Sequence, residues 1–325
     1  MKKNKPLFSV VTATYNRHHY LKKLYKSLIS QNFKNIEWII GNDGSTDKTD
    51  DLIKSFIKEN KIKIKYISSN LRIGKSKMDN LIYPKISGKY FCYCGSDDYF
   101  KKDAFEKMFK LLKKIPAKLR NKVNGILTIS VDENGISQST FNNRVLKKES
   151  YITWEKFVSN INGDVTNLDK TSAYKNKKFK EIDFLISESS LINKIHKKKI
   201  FLFSPITTKV MRRADDSISY GSVMKYCRGY AHGIAISHNI RDFNKLRLIK
   251  KILIFINYWR YVYHGDISFL KAKEMWVITK KINIYYLLIP LSILLCIRDL
   301  IWKKIEKTHL EFEKNKNRAK IKYIG

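Results

Sequence analysis

The spacing of apolar and polar residues changes period repeatedly through the first hundred positions. "LFSVVTAT" (7–14) and "IEWIIG" (36–41) are short apolar runs, "KIKIKYI" (61–67) alternates with period two, and "KYFCYC" (89–94) is apolar and aromatic. Four strands are predicted there. Between them Leu21, Leu24, Tyr25, Leu28 and Ile29, and then Leu52, Ile53, Phe56 and Ile57, recur at helical spacing, and another helix should follow Gly74. Strands alternating with helices predict an α/β domain built on a mostly parallel sheet.

Further along the order loosens. "DAFEKMFKLLKKI" (103–115) reads as a helix, "NGILTISVDENGIS" (124–137) as a strand with a turn at Asn134-Gly135, and about 150–240 as short helices mixed with loops. From about 241 the chain becomes helical, apolar and basic, through "KLRLIKKILIFINYWRYVYHG" and "INIYYLLIPLSILLCIRDLIWKKIEK", and ends in a charged, frayed tail. Three segments result: 1–120, 121–240 and 241–325.

Composition narrows the partners. Lys+Arg 65 against Asp+Glu 29 leaves a net charge of +36, which suits phosphates in nucleotides, nucleic acid or anionic lipid, or merely a solvated surface. Four scattered cysteines are too few for a disulfide scaffold or a four-ligand zinc site, and Cys92 and Cys94 should share the core face of one strand. "MKKNKPLFSVVTATYNR" is basic and then apolar, but it reads as a first strand rather than a signal peptide.

Ligands of a parallel sheet bind beyond the carboxyl ends of its strands. Here those ends carry "TATYNR" (12–17), "GNDGSTD" (41–47), "NLRIGK" (70–75) and "GSDD" (95–98), four polar loops that together make a site, although "NDGSTD" alone could be a helix cap. Asp97 and Asp98 suit a Mg²⁺ or Mn²⁺ ion shared with substrate phosphates; the alternative is a pair of solvated acids before the next helix. Asp43 and Asp97 are both expected in surface loops. The adjacent His18 and His19 should splay apart on a helix, and the Arg212, Arg213, Asp215 and Asp216 group reads as a loop ion-pair cluster.

"FSVVTATYNR", "WIIGNDGSTDKT", a Gly-Lys before a helix and "GKYFCYCGSDDYF" resemble the successive signatures of the family 2 glycosyltransferases over about residues 7–100. The resemblance is thinner over 150–215. It implies the GT-A fold, Rossmann-like with a mostly parallel sheet, with a nucleotide-sugar half at 1–120 and an acceptor half at 121–240. It also implies inversion at the anomeric centre, a nucleotide-sugar donor (UDP-sugar foremost) and a Mn²⁺ or Mg²⁺ cofactor. Ala13, Tyr15 and Arg17 fall at positions that line the nucleotide, with Tyr15 able to stack on the base. Asp43 matches the carboxylate that hydrogen-bonds the base, Lys75 a basic residue near the diphosphate, and Asp97 and Asp98 the metal-binding acidic motif, whose customary first Asp is here Gly95. Glu188 matches the general base.

The chemistry asks for the same residue types: cations for the leaving diphosphate, and a carboxylate to deprotonate the acceptor hydroxyl. Glu188 in "SESS" suits that role, with Ser187 or Ser189 capping a helix, or it serves only as a favourable charge in a first turn; Asp164, Glu181 and Asp183 are rivals. The expected acceptor is a glycan or lipid-linked glycan in bacterial polysaccharide assembly, at the cytoplasmic face of the inner membrane. The uncharged run Ile282–Ile297 has 16 residues, short of the roughly 20 that a spanning helix needs. With Lys280, Lys281, Arg298, Lys303 and Lys304 flanking it and Tyr285, Tyr286 and Trp302 as anchors, residues 241–325 read as helices lying on an anionic membrane surface, or else packed as core. Rival functions are a metal-dependent nucleotidyltransferase, which would release pyrophosphate, and a basic nucleic-acid binder, for which no fingerprint is found.

Overall fold

The computed structural model describes residues 5–141, 147–181, 188–212, 226–240, 247–276, 283–302 and 319–325. Contacts divide the chain into two units. The first is Met1–Lys178 with Ile195–Ser217 and Asn315–Gly325; the second is Phe179–Lys194 with Ile218–Lys314.

In the first unit the predicted alternation is realised. Strands β1 (Phe8–Thr14), β2 (Ile36–Asp43), β3 (Lys63–Ser69) and β4 (Tyr90–Tyr93) are interleaved with helices α1 (His18–Ile29), α2 (Thr49–Glu59) and α3 (Lys75–Ile82). They pair in parallel in the order β3-β2-β1-β4. Core side chains Phe8, Val10, Trp38 and Ile40 from the sheet meet Leu21, Leu24, Ile53 and Phe56 from the helices. Cys92 and Cys94 are fully buried in that core, and burial pushes the Cys92 thiol up to about 12.

Beyond β4 the sheet departs from the sequence-based expectation. It continues through β5 (Tyr99–Phe100), helix α4 (Ala104–Lys114), β6 (Val123–Val131), β7 (Ser139–Phe141), β8 (Ser150–Thr153), α5 (Trp154–Asn160), β9 (Ile161–Gly163), β10 (Val165–Lys170) and β11 (Ile200–Val210). β10 inserts antiparallel between β4 and β6, β11 lies parallel to β6, and β5 and β8 pair antiparallel with β11. β7 and β9 form a separate two-stranded ribbon. The sheet is therefore mixed rather than mostly parallel, and the stretch read as helices and loops supplies two of its inner strands. The polar β10 sequence "VTNLDK" hid this, because its interior contacts include a hydroxyl pair, Thr166 with Ser130 of β6 at 3.0 Å, beside the Thr128–Thr208 pair between β6 and β11 at 2.7 Å.

The tail also departs from expectation. Ile321–Ile324 form β12, antiparallel to β3 at the edge of the sheet, so this part of the tail is a strand and not a frayed end, while residues 303–318 lie outside the described residues.

The second unit is helical: the start of α6 (Ser189–His196), then α7 (Cys227–Ile240), α8 (Leu248–His264), α9 (Phe269–Met275) and α10 (Ile289–Trp302). Phe255, Tyr258, Trp259 and Val262 of α8 form its core with Ala231, Ala235, Ala272 and Trp276. Pro290 sits in the first turn of α10, where a missing N–H costs nothing. No helix among the described residues is long and apolar enough to cross a membrane. Lys280, Lys281, Lys303 and Lys304 lie outside the described residues.

Candidate active site

The loops after β1, β2, β3 and β4 open on the same edge of the parallel strands. Asn16, after β1, takes a left-handed backbone with φ 52°, which Asn tolerates better than most residues. It ties this loop to the next: Asn16 N donates to Ser45 Oγ at 2.9 Å, and Thr46 N donates to Asn16 Oδ1 at 2.8 Å. Arg17 N donates to Thr49 Oγ1 at 3.0 Å. His18 Nδ1 lies 2.8 Å from Asp47 Oδ2. The His18 and His19 rings do not splay; their centroids are 3.6 Å apart, with Asp47 fixing the first ring at the helix start.

The second loop turns at Gly44, φ 73°, where a β-carbon would stand 2.3 Å from Leu71 C and 2.5 Å from Arg72 N. Glycine is what lets the third loop lie this close. That loop aims its amides at Asp43: Ile73 N donates to Oδ1 at 2.7 Å, and Gly74 N lies 3.1 Å from each carboxylate oxygen. Asp43 is therefore the buried last residue of β2, not a surface-loop residue. Burial pushes its pKa up to about 7, against the pull of the Ile73 and Gly74 amides and the Arg72 charge.

Tyr15 has the Arg72 guanidinium 4.1 Å from its ring centroid, so a cation covers one face of the ring assigned to base stacking. Lys75 opens α3 with Nζ 2.6 Å from Asp79 Oδ2 and 4.2 Å from the Tyr93 ring centroid. The Tyr93 hydroxyl accepts from Ala13 N at 3.3 Å. Tyr93 thus joins the first-strand loop to the start of α3.

After β4 the acidic pair folds back over Gly95. A β-carbon there would stand 2.9 Å from Asp97 Oδ1 and 3.0 Å from Asp98 Oδ2, so the two carboxylates share the space a side chain at 95 would occupy. Asp98 is held from the far side: the buried Lys209 Nζ of β11 lies 3.5 Å from Oδ2, and Arg212 N donates to Oδ1 at 3.2 Å. Burial and the Asp98 charge raise the Asp97 pKa, while Arg17 and Lys209 oppose them. Burial works to lower the Lys209 pKa, but Asp98, together with Cys94, Asp164 and Cys92, holds it above the ordinary lysine value. Two carboxylates drawn to one place fit a Mg²⁺ or Mn²⁺ ion of the kind that takes one or two protein carboxylates and completes its shell with substrate phosphates. Among the described residues no three His, Cys, Asp or Glu side chains are grouped to hold a metal without such help.

Ala13, Tyr15, Arg17, Asp43, Lys75, Asp97 and Asp98 therefore gather at one sheet edge. Glu188 belongs to the second unit. It occupies the capping position of α6 itself: its carbonyl accepts from Leu191 N and Ile192 N, both at 3.0 Å, a place sequence assigned to Ser187 or Ser189. Its side chain is half-buried. Ser187, the rival base Asp183, Arg213, Asp215 and Asp216 lie outside the described residues. Lys209 and Arg72 were missed in the sequence. A lysine near a strand end and an arginine in a turn look like solvated charges in so basic a chain, and only pairing with Asp98 and Tyr15 distinguishes them.

Residues 9–122 match the model of Glycosyl transferase family 2. Among curated proteins, the GalNAc(5)-diNAcBac-PP-undecaprenol beta-1,3-glucosyltransferase of Campylobacter jejuni is 26% identical over 247 residues, 75% of this chain and 77% of that protein. The putative teichuronic acid biosynthesis glycosyltransferase TuaG of Bacillus subtilis is 33% identical over 109 residues, 33% of this chain and 42% of that protein. Among solved structures, S. aureus TarS 1-349 in complex with UDP-GlcNAc superposes with a TM-score of 0.54 at 16% identity, covering 84% of this chain and 88% of that one. The mannosyltransferase PcManGT from Pyrobaculum calidifontis, in complex with GDP-Man and Mn²⁺, does so with a TM-score of 0.54 at 15% identity, covering 92% and 88%. At such identities the two structures bear on the fold, which is of the GT-A type with a mixed sheet.

Proposed function

We propose that this chain, a family 2 glycosyltransferase, transfers a sugar from a UDP-sugar, with inversion, to a hydroxyl of a lipid-linked glycan in bacterial polysaccharide assembly. The observation that carries the donor side is the gathering of Asp43, Lys75, Asp97 and Asp98 on one edge of the sheet. Asp43 would accept from the base, with Tyr15 and Arg72 beside it. Lys75 and Arg17 would face the diphosphate, and Asp97 with Asp98 would hold Mn²⁺ or Mg²⁺. A divalent ion, when bound, neutralises charge on the leaving diphosphate. Glu188 would take the acceptor proton. A UDP-GlcNAc complex of a protein with this fold and a relative named for an undecaprenol-linked substrate support the choice of donor and acceptor class.

A screen of nucleotide sugars, with and without Mn²⁺, tests this: UDP-sugars should raise the melting temperature and release UDP, whereas release of pyrophosphate would favour a nucleotidyltransferase. The pH dependence is specific. Because the Asp43 pKa is raised to about 7, its contribution to stability is present at low pH and lost as pH rises through about 7. Binding to the base needs the ionised form, so UDP affinity should instead fall as pH drops below 7, by up to about tenfold at one pH unit below the pKa. Asp43→Asn should bind UDP weakly and independently of pH; an unchanged pH profile in that variant would remove Asp43 from the base.

Membrane docking of the second unit is part of the proposal. On α10 the buried positions are Ser292, Cys296 and Asp299, one helical stripe, while Leu291, Ile293, Leu294, Ile297, Leu300 and Ile301 are exposed, Ile301 by 74%. The helix is apolar outward and polar inward. Asp299 is anchored by Arg260, Nε to Oδ2 2.5 Å and Nη2 to Oδ1 2.8 Å. Burial disfavours its charge, but the bonds from Arg260 and Arg298 outweigh that and hold its pKa below the usual range. Leu270 and Leu287 of the same unit are likewise 73% and 78% exposed. Each such side chain left in water forgoes about 1.5–3 kcal/mol, and the basic chain favours anionic headgroups. The protein should sediment with phosphatidylglycerol vesicles and be partly released by high salt, and Leu294→Glu with Ile301→Glu should leave it in the supernatant. Concentration-dependent dimers with no vesicle binding would assign the face to a second copy instead.

A further inference from the structure

We infer that residues 319–325 are a positioning element for the nucleotide site, a strand that holds the loop aimed at Asp43. This rests on the assignment of Asp43 to the base. In the sheet, Ile321 pairs with Ser69, and Ser69 pairs in turn with Asp43, so the last strand, the β3 end and the carboxylate stand in one cross-strand row. The chain then leaves β3 through Asn70. Asn70 N donates to Lys320 O at 3.2 Å, and Lys320 N donates to Asn70 Oδ1 at 2.6 Å, a reciprocal clasp. On the inner side Leu71 N lies 3.3 Å from Ser69 Oγ, and Ser69 Oγ donates to Leu71 O at 2.5 Å. Three and four residues after Asn70, Ile73 N and Gly74 N reach Asp43. The loop is thus clamped between Lys320 on its outer side and Gly44 on its inner side.

Without β12, β3 would be an edge strand with unpaired amides and carbonyls, and its carboxyl end would lose the partner that fixes where the loop departs. The strand adds little to the core. Ile321, Tyr323 and Ile324 are 41%, 43% and 44% exposed, and its hold is the backbone ladder, the Lys320–Asn70 clasp and the stacking of Lys85 Nζ 4.3 Å from the Tyr323 ring centroid. A segment that contributes so little apolar burial, and whose ladder ends in a two-way bond to the first residue of one loop, acts on that loop rather than on global stability.

Deleting residues 319–325 should raise the UDP dissociation constant and the donor KM about tenfold, with kcat at saturating donor within about twofold of the intact chain. A free peptide of sequence AKIKYIG should restore affinity, and a scrambled one should not. Asn70→Ala in the intact chain removes the Lys320 N–H acceptor without touching the tail, so it stands in should the deletion fail to fold. It should move KM in the same direction by a smaller factor and speed hydrogen exchange at Ile73 and Gly74. Unchanged UDP affinity in both variants, or a fall in kcat with KM preserved, overturns the inference. UDP binding that is unaffected by Asp43→Asn would overturn the Asp43 assignment itself, whereas its loss there with unaltered affinity in the tail variants would overturn the brace alone.

Discussion

Asp97→Asn should lower kcat by about 10²–10³-fold, the scale of removing one group that stabilises transition-state charge, without lowering the melting temperature. The site gives the reason. Asp97 and Asp98 converge over Gly95, and burial together with the charge of its neighbour already raises the Asp97 pKa. Replacing one carboxylate by an amide relieves that repulsion, so the folded protein loses nothing while the place that would bind a cation loses half its charge. Asp98→Asn makes the contrast. Its carboxylate faces the buried Lys209 at 3.5 Å, and breaking a buried pair by removing one partner costs about 3–5 kcal/mol. That variant should lose both activity and melting temperature. Steady-state kinetics across a Mn²⁺ titration, beside thermal unfolding, separate the two. Full activity of Asp97→Asn at ordinary Mn²⁺ would place the metal elsewhere.

Glu188→Gln should keep donor affinity and lose about 10²–10⁴-fold in turnover, the range general-base catalysis supplies. The amide keeps the shape of the side chain but does not accept the acceptor's hydroxyl proton at neutral pH. The substitution is mild for the fold, because the cap of α6 is made by the Glu188 backbone carbonyl, which the variant retains. UDP affinity measured by titration is the control, and kcat with a lipid-linked acceptor is the readout. Normal turnover in Glu188→Gln alongside an inactive Asp183→Asn or Glu181→Gln would move the base to that residue.

Within the sequence, local period and loop chemistry were enough to place the first four strands, the three helices between them and the four strand-end loops. Each of these depends on side chains close in sequence: a β-branched run, a helical stripe such as Leu21, Leu24 and Leu28, or a Gly-Asp turn. The family signatures lie in the same loops, so the sequence alone already marked Asp43, Lys75 and Asp97 as candidates at the strand ends. The tertiary structure alone decided the pairings between distant segments. β10 is nearly as polar as a loop, and its place in the middle of the sheet follows from its ladders with β4 and β6 and from the Ser130–Thr166 hydroxyl pair across one of them. β12 is four residues that gain a strand's geometry only because β3 offers an open edge. Lys209 becomes a neighbour of the candidate site because β11 returns beside the acidic loop and buries its ammonium near Asp98. The inverted face of α10 shows only once Asp299 has found Arg260. In each case the deciding partner lies at least 36 residues away, and neither propensity nor period carries information about contacts at that separation.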